Sequence, residues 1–459
     1  MKCKLNNCVF KGIKKTNSMK NLFQNVFFKM GMIFVLILIL LIPAIMVQNL
    51  IHERMTRQDD AVFEVSSKHA ESQSITGPVL TIPYVVNKQV KNPDGTYRDK
   101  KERFYYHILP EELNIEGEVT PEKRKRGIFE VVVYGSDLNF SGRFDSYRFD
   151  DLGINEDELE LNKAFVTIGI TDLKGVTDQV KIKMDDSIVM CNPGLLSDDI
   201  VSSGLHIRYP LDGIPTKKIN FNFELALNGS EKLMFAPIGK VTNVDITSPW
   251  QEPSFDGNFL PSKRKVDKDG FTATWKVLHL NRNYPQSWVG SKHHISGSRF
   301  GVNMRLPVDV YQKSMRVAKY ALLFIVLTYL VFFFVEILNR ILIHPIQYVL
   351  VGIALVLFYV LMLAFSEQMY FDLAYVLAAF MTIGLIFLYC RSILKSWGLA
   401  AMTASILTIL YGFIFIIIQM QDYALLFGSL GVFLILAITM YFSRKVDWFD
   451  LKKGDSKIE

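Results

Sequence analysis

Six apolar runs, each about as long as a hydrocarbon core is thick, constrain this chain more than any other feature. The first, MGMIFVLILILLIPAIMV, occupies residues 30–47, and from 318 to 442 apolar blocks repeat with only short polar breaks. Crossing roughly 30 Å of hydrocarbon takes about 20 apolar residues. Segments 30–48, 319–338, 346–365, 372–390, 397–418 and 423–442 meet that length. Residues 51–317, between the first two, have the composition of an ordinary globular domain. The chain of 459 residues therefore reads as an integral membrane protein with room for two or three domains.

The first run looks like a signal peptide, but its flanks argue for an uncleaved anchor. It follows 29 residues holding seven lysines and no acid, and QNLIHER succeeds it with no small-x-small cleavage site. Cytoplasmic loops carry lysine and arginine in excess. The basic leader, Arg340, Arg391 with Lys395, and a tail with Arg444, Lys445, Lys452, Lys453 and Lys457 all vote for one side. The breaks SEQMYFD (366–372) and QMQD (419–422) hold no lysine or arginine. Lys313, Arg316 and Lys319 count against this, but they adjoin a long domain, and long domains translocate largely regardless of charge. Both termini are expected in the cytoplasm, with residues 49–318 on the far side. The net charge of +6 sits mostly in leader and tail, where it meets anionic lipid, so membrane lipid is an expected partner and nucleic acid is not.

Strand signals fill the large domain. GPVLTIPYVV (77–86), a Pro-Asp-Gly turn at 93–95, ERFYYHIL (102–109), GIFEVVVYG (127–135) and KAFVTIGIT (163–171) alternate or carry β-branched and aromatic residues. KINFNFELAL (218–227) runs into Asn228-Gly229 and KLMFAPI, which predicts a tight hairpin. After Asp269-Gly270, Phe271, Ala273, Trp275 and Val277 share one strand face. Residues 52–70 alone suggest a helix continuing the anchor. Cys191 is the domain's one cysteine, so its core and not a disulfide must hold it. An all-β, sandwich-like domain is the expectation.

In the fifth apolar segment, Gly398, Ala401, Ser405, Thr408 and Gly412 recur at spacings of three and four, predicting a face on which another helix packs closely. Ionisable groups in the bundle are few. Glu336, His344, Glu367, Asp372 and Asp422 all fall at segment ends, and an interfacial pair of Glu336 with Arg340 is the expected arrangement, with burial of Glu336 within VFFFVEILNR as the alternative. No phosphate-cradling loop and no Gly-x-Ser-x-Gly elbow occurs. His293-His294 and Cys3/Cys8 match no metal spacing, and neither a metal nor a cofactor is expected. The polar end of strand 270–280 remains. His279, Asn281, Arg282, Asn283 and Gln286 crowd around Pro285 with no acid or cysteine nearby, so catalysis is not expected there. Their donors suit the carbonyls of a neighbouring loop first, and a docked ligand or partner second.

Several of these blocks, in this order, resemble the CreD family of bacterial inner-membrane proteins. They are ESQSITGPVLTIPY (71–84), GFTATWKVLHLNRNYPQSW (270–288), FGVNMRLPVDVYQKSMRVAKYALLFIVLTYLVFFFVE (300–336) and HPIQYVLVGIALVLFYVLMLAFSEQMYFDLAYVLAA (344–379). The long basic leader departs from the family, as does Lys68-His69-Ala70, where an aromatic residue is expected. The resemblance implies an inner-membrane location, a large periplasmic domain, and a link to envelope integrity under a two-component stress response. It transfers no catalytic residues.

The combined expectation is an α+β membrane protein. A basic cytoplasmic leader (1–29) precedes a transmembrane anchor (30–48), a β-rich periplasmic domain (49–318), a bundle of five transmembrane helices (319–442) and a basic cytoplasmic tail (443–459). The expected function is non-enzymatic support of the cell envelope, in which the periplasmic domain binds an envelope protein or glycan. The alternative is a transporter whose outer domain captures substrate.

Overall fold

The computed structural model describes residues 26–91, 93, 97–145, 156–213, 217–305, 310–339, 341, 343–420 and 423–444. Most of the leader and tail, the Asp94-Gly95 part of the expected turn, Cys3, Cys8, Arg340 and Asp422 lie outside the described residues. The chain divides into two compact units, Met1–Arg57 with Val308–Glu459, and Gln58–Pro307. The second is narrower at both ends than the 49–318 read from composition.

In the first unit the anchor does not stop at residue 48. A single helix, α1, runs over Val26–His69, with Pro43 inside its apolar part. Its residues beyond Arg57 belong to the second unit. Polar residues after 50 still favour helix because 52–69 lacks glycine and proline altogether. Next comes α2 (Val310–Lys319), an amphipathic helix that buries Tyr311, Ser314, Val317 and Ala318 at spacings of three and four. Lys313, Arg316 and Lys319, which run against the charge rule, therefore lie on this short helix. The expected span at 319–338 begins only after it.

The remaining helices are α3 (Ala321–Leu338), α4 (Pro345–Ser366), α5 (Phe371–Leu394), α6 (Trp397–Gln419) and α7 (Ala424–Ser443). Among the described residues five helices, α1 and α3 to α6, are long and apolar enough to cross a membrane. The sixth expected segment coincides with α7, whose apolar stretch Leu426–Tyr441 is shorter. Among the described residues nothing covers the packing face predicted on α6. Gly398, Ala401, Ser405, Thr408 and Gly412 are all exposed, while Ala400, Thr403, Leu407, Leu410, Tyr411 and Ile414 are buried. Bulk decides this: the inward face needs leucine, isoleucine and tyrosine volume to fill the space between helices. Against α7 the close approach falls to Gly431, where a Cβ would lie 2.1 Å from the Phe413 ring.

Apart from the end of α1, the described residues of the second unit are β-rich, as read. Its strands form a nine-stranded and an eight-stranded sheet that share one buried core. Gln73–Lys91 occupies the middle of the first, pairing with Tyr97–Ile108 as a long antiparallel hairpin and with Phe165–Ile170 on its other side. The hairpin Glu112–Arg126/Phe129–Phe144 is the backbone of the second sheet. Alternation holds where it was strongest. Ile219, Phe221, Phe223, Leu225 and Leu227 are buried with exposed or half-buried partners, and so are Phe271, Ala273, Trp275 and Val277. The hairpin Lys263–Asp267/Gly270–Leu278 turns at the Asp269-Gly270 signal.

The Asn228-Gly229 signal is overturned. Both residues continue the strand Ile219–Ser230, opposite Gly135 and Tyr134 in the eight-stranded sheet. Lys232–Phe235 pairs instead with Gln73–Lys91 and Phe300–Asn303 in the other sheet. The chain changes sheets at Glu231, which takes φ of 59° and accepts from Arg305 Nε at 2.9 Å. Glycine stands at 229 for room and not for a turn. A Cβ there would lie 2.3 Å from the Tyr134 hydroxyl, which donates to the Lys232 carbonyl at 2.7 Å. Gly229→Ala is therefore expected to cost about 1–3 kcal/mol. The purified protein's unfolding midpoint reads this, with Gly297→Ala, where nothing lies within 4 Å, as the unchanged control.

Candidate functional site

Strand Gly270–Leu278 ends where the sequence needs it to, because His279 can no longer follow the apolar parity of Trp275 and Val277. A single 3-10 turn, His279–Asn281, takes over. Asn281 Oδ1 accepts from the Leu278 amide at 3.0 Å and closes that turn. Arg282 then points inward and is 9% exposed. Its guanidinium donates to the carbonyls of Tyr284 at 2.5 Å, Ile238 at 3.2 Å and Pro285 at 3.3 Å, and to the Gln286 side chain. It also lies 4.2 Å from the Tyr284 ring centroid. Burial pushes its pKa down to about 10, which still leaves it charged at neutral pH. Gln286 Nε2 in turn donates to the Pro110 carbonyl at 2.6 Å, and the Tyr284 phenol bonds the Pro237 carbonyl at 3.1 Å and Ser298 at 3.0 Å. Of the five residues read as a docking loop, Arg282 and Gln286 thus brace separate stretches of chain. Asn281 and Asn283 remain exposed, with His279 half-buried beside them. Leu280, not singled out from sequence, is 78% exposed at the crest.

A second cluster escaped the sequence because its members are far apart in the chain. His107 is 1% exposed, with Nδ1 3.0 Å from Thr81 Oγ1 and Nε2 3.2 Å from Asp199 Oδ2. Strand pairing sets Thr81 and Trp288 on either side of it. Burial lowers the His107 pKa and the Asp199 carboxylate opposes that. The neutral ring thus donates Nε2–H to Asp199 and accepts the Thr81 hydroxyl at Nδ1. The connectivity is that of a hydroxyl–imidazole–carboxylate relay. However, Thr81 is 1% exposed and its hydroxyl faces no solvent. Cys191, half-buried, is pushed up to about 11 by burial and so is held as an unreactive thiol. Among the described residues no group of three or more histidines, cysteines and acids is placed to hold a metal.

In the helical unit the Glu336 expectation needs correction. Glu336 does not sit at an exposed interface but is 3% exposed, between α1, α3 and α4. Lys29 Nζ, itself 8% exposed, donates to Oε1, as does the Ile343 amide at 3.1 Å, and the Tyr348 phenol donates to Oε2 at 2.8 Å. Tyr329 then donates to the Tyr348 carbonyl at 2.7 Å. Gly352 on α4 permits the approach of α1, since a Cβ there would lie 2.2 Å from the Leu40 side chain. Lys29 reads in sequence only as one more topogenic lysine. Its partner lies 307 positions away, so no local spacing announces the pair.

These features define a membrane protein with several helical spans and a β-rich unit between the first and second of them. Residues 25–449 match the family described as Inner membrane protein CreD. The chain is 32% identical over 425 residues to the Inner membrane protein CreD of Escherichia coli, covering 92% of this chain and 94% of that one. The chain belongs to the CreD family. Among solved structures, an M1 zinc metallopeptidase from Deinococcus radiodurans is 8% identical over 37% of this chain and 38% of its own, with a TM-score of 0.18, a likeness that carries no argument.

Two outcomes follow from this geometry. Removing one partner of a buried ion pair strands the other, at about 3–5 kcal/mol. Lys29→Met is expected to lower the unfolding midpoint in detergent sharply, and Lys29→Met with Glu336→Gln to recover most of the loss. For His107 the folded-state pKa lies below the ordinary 6.5, so the unfolded chain binds more protons beneath that pH. The stability it contributes is complete above 6.5 and declines as pH falls toward the folded value. His107→Gln is expected to flatten that decline, measured as unfolding midpoint against pH.

Proposed function

We propose that this inner-membrane protein supports the integrity of the cell envelope, with both termini in the cytoplasm and the β-rich unit in the periplasm. It acts there by binding another envelope protein through the loop 279–283, and its work is binding and not catalysis. The observation that carries this reading is the combination of a buried brace and an exposed crest. Arg282 ties the loop to carbonyls on neighbouring segments, while Leu280 is left 78% exposed beside the polar Asn281 and Asn283. An apolar side chain held outward by a rigid support is what a docking anchor requires, since little ordering entropy is lost on binding. Basic leader and tail residues and the lysine-free breaks 366–372 and 419–422 support the orientation.

A second reading, a transporter-like protein with a substrate-capturing outer unit, draws on the Lys29–Glu336–Tyr348 network. Ionisable groups buried among spanning helices often mark transport pathways. The network is fully paired, and an ion pair that joins the anchor to the bundle accounts for it without transport.

In a deletion strain under detergent stress, Leu280→Ser with Asn283→Ala is expected to reach normal membrane levels yet fail to restore exclusion of a permeability dye. A variant that restores the barrier as well as the wild type does would remove the docking reading. Arg282→Ala, by contrast, is expected to lower the membrane level of the protein itself.

A further inference from the structure

At the end of the bundle where α4 finishes and α5 begins, tyrosines mark the boundary between hydrocarbon and water. Tyr320, Tyr370 and Tyr423 each stand immediately before a helix, namely α3, α5 and α7. Tyr370 is 89% and Tyr423 59% exposed. Tyrosine favours this depth because its ring suits hydrocarbon and its phenol suits water. The amphipathic helix α2 lies level with them. It ends at Lys319, beside Tyr320, and Gln48, which closes the apolar run of α1, donates from Nε2 to the Ala318 carbonyl at 3.1 Å. The Tyr311 phenol donates to Glu367 at 3.3 Å, where α4 ends. Lys313 Nζ lies 5.4 Å from the ring centroid of Phe371, where α5 begins. Contacts from the ends of α1, α4 and α5 thus fix α2 at the height of the membrane surface.

The face of α2 turned from the bundle is cationic. Lys313, Arg316 and Lys319 recur every three residues, opposite the buried Tyr311, Ser314, Val317 and Ala318. Residues three apart on a helix are surface neighbours, with roughly 5–6 Å between Cβ atoms, so the three charges form one patch. Among the described residues no carboxylate pairs with any of them. Glu367, the acid that touches α2, is already held by Arg54 Nε at 3.5 Å. On α1, by contrast, Lys29, Arg54 and Arg57 are each matched by a carboxylate. Like charges so placed repel, and a ligand of opposite sign relieves them.

We infer that α2 binds the phosphate of an anionic glycerophospholipid headgroup. A bilayer surrounds the spanning helices, so headgroups lie at the height where α2 is fixed. Anionic lipids attract lysine and arginine near the surface, and a guanidinium fork flanked by two ammonium groups suits phosphate oxygens. A zwitterionic headgroup brings its own cation to the same place, so the site discriminates by net charge. It also gives a use to the three cations that run against the charge rule. The inference rests on the helical unit alone and is independent of the docking loop.

The test is the unfolding midpoint of the purified full chain in mixed micelles holding phosphatidylglycerol or phosphatidylcholine at equal mole fraction. Phosphatidylglycerol is expected to raise the midpoint by several degrees over phosphatidylcholine. Lys313→Gln with Arg316→Gln and Lys319→Gln is expected to lose at least half of that difference while matching the wild type in phosphatidylcholine. Lys313→Arg with Lys319→Arg, which keeps the charges, is expected to retain it. A difference unchanged in the triple variant overturns the proposal, because cations elsewhere in the chain then account for all of it. An equal rise from inorganic phosphate in phosphatidylcholine micelles also overturns it, since the ligand is then a free anion and not a lipid. If the triple variant unfolds, Lys319→Gln alone, at an exposed position, gives the reading. It is expected to lose part of the difference, and full retention overturns the proposal.

Discussion

A hydrocarbon interior offers a charged group no partner, so a charge carried into it needs one from the protein. Lys29 and Glu336 show the first solution. Neither is tolerable alone among α1, α3 and α4, and together they are held by Tyr348 and the Ile343 amide. The pair joins the first helix to helices that follow it in sequence only after the whole β-rich unit. Its attraction is offset by desolvation, so the pair adds less net stability than its charges alone would give. Gly352 allows the approach, and the ion pair sets its register.

The β-rich unit meets the same demand in another way. Its core is filled by alternating strand residues, and the two terminal guanidinium nitrogens of Arg282, the buried cation at its edge, donate to carbonyl oxygens and the Gln286 side chain beside an aromatic face. A guanidinium suits this because its donors fan out in one plane and reach several carbonyls together, which a lysine ammonium does not. The outcome is a loop with few ways to move and an exposed leucine on top. His107 is likewise a polar side chain made acceptable by two partners, at the cost of a sensitivity to acid.

Much of this could be read along the chain. Apolar length located the spans and the large inserted unit, and period-two alternation identified strands 219–227 and 271–277 with the correct faces inward. Where the local reading failed, a distant residue had intervened. Asn228-Gly229 carries a hairpin signature, yet Tyr134 from another strand occupies the space that makes glycine necessary there. The small residues of α6 have the spacing of a packing face, yet the volume between helices is filled from the opposite side. The loop 279–286 was recognisable as polar and constrained, but only the carbonyls of Ile238 and Pro110 decide that Arg282 and Gln286 turn inward.

By itself the sequence determined the membrane-spanning character of this CreD-family chain, the insertion of a β-rich unit after the first helix, and the strand faces that bury. Those follow from hydropathy and periodicity, which are properties of consecutive residues. Tertiary structure alone decided the partners of Lys29, Arg282 and His107, and the sheet to which each strand belongs. These depend on which side chains arrive from elsewhere to share a confined, water-poor space, and separation along the chain carries no record of that.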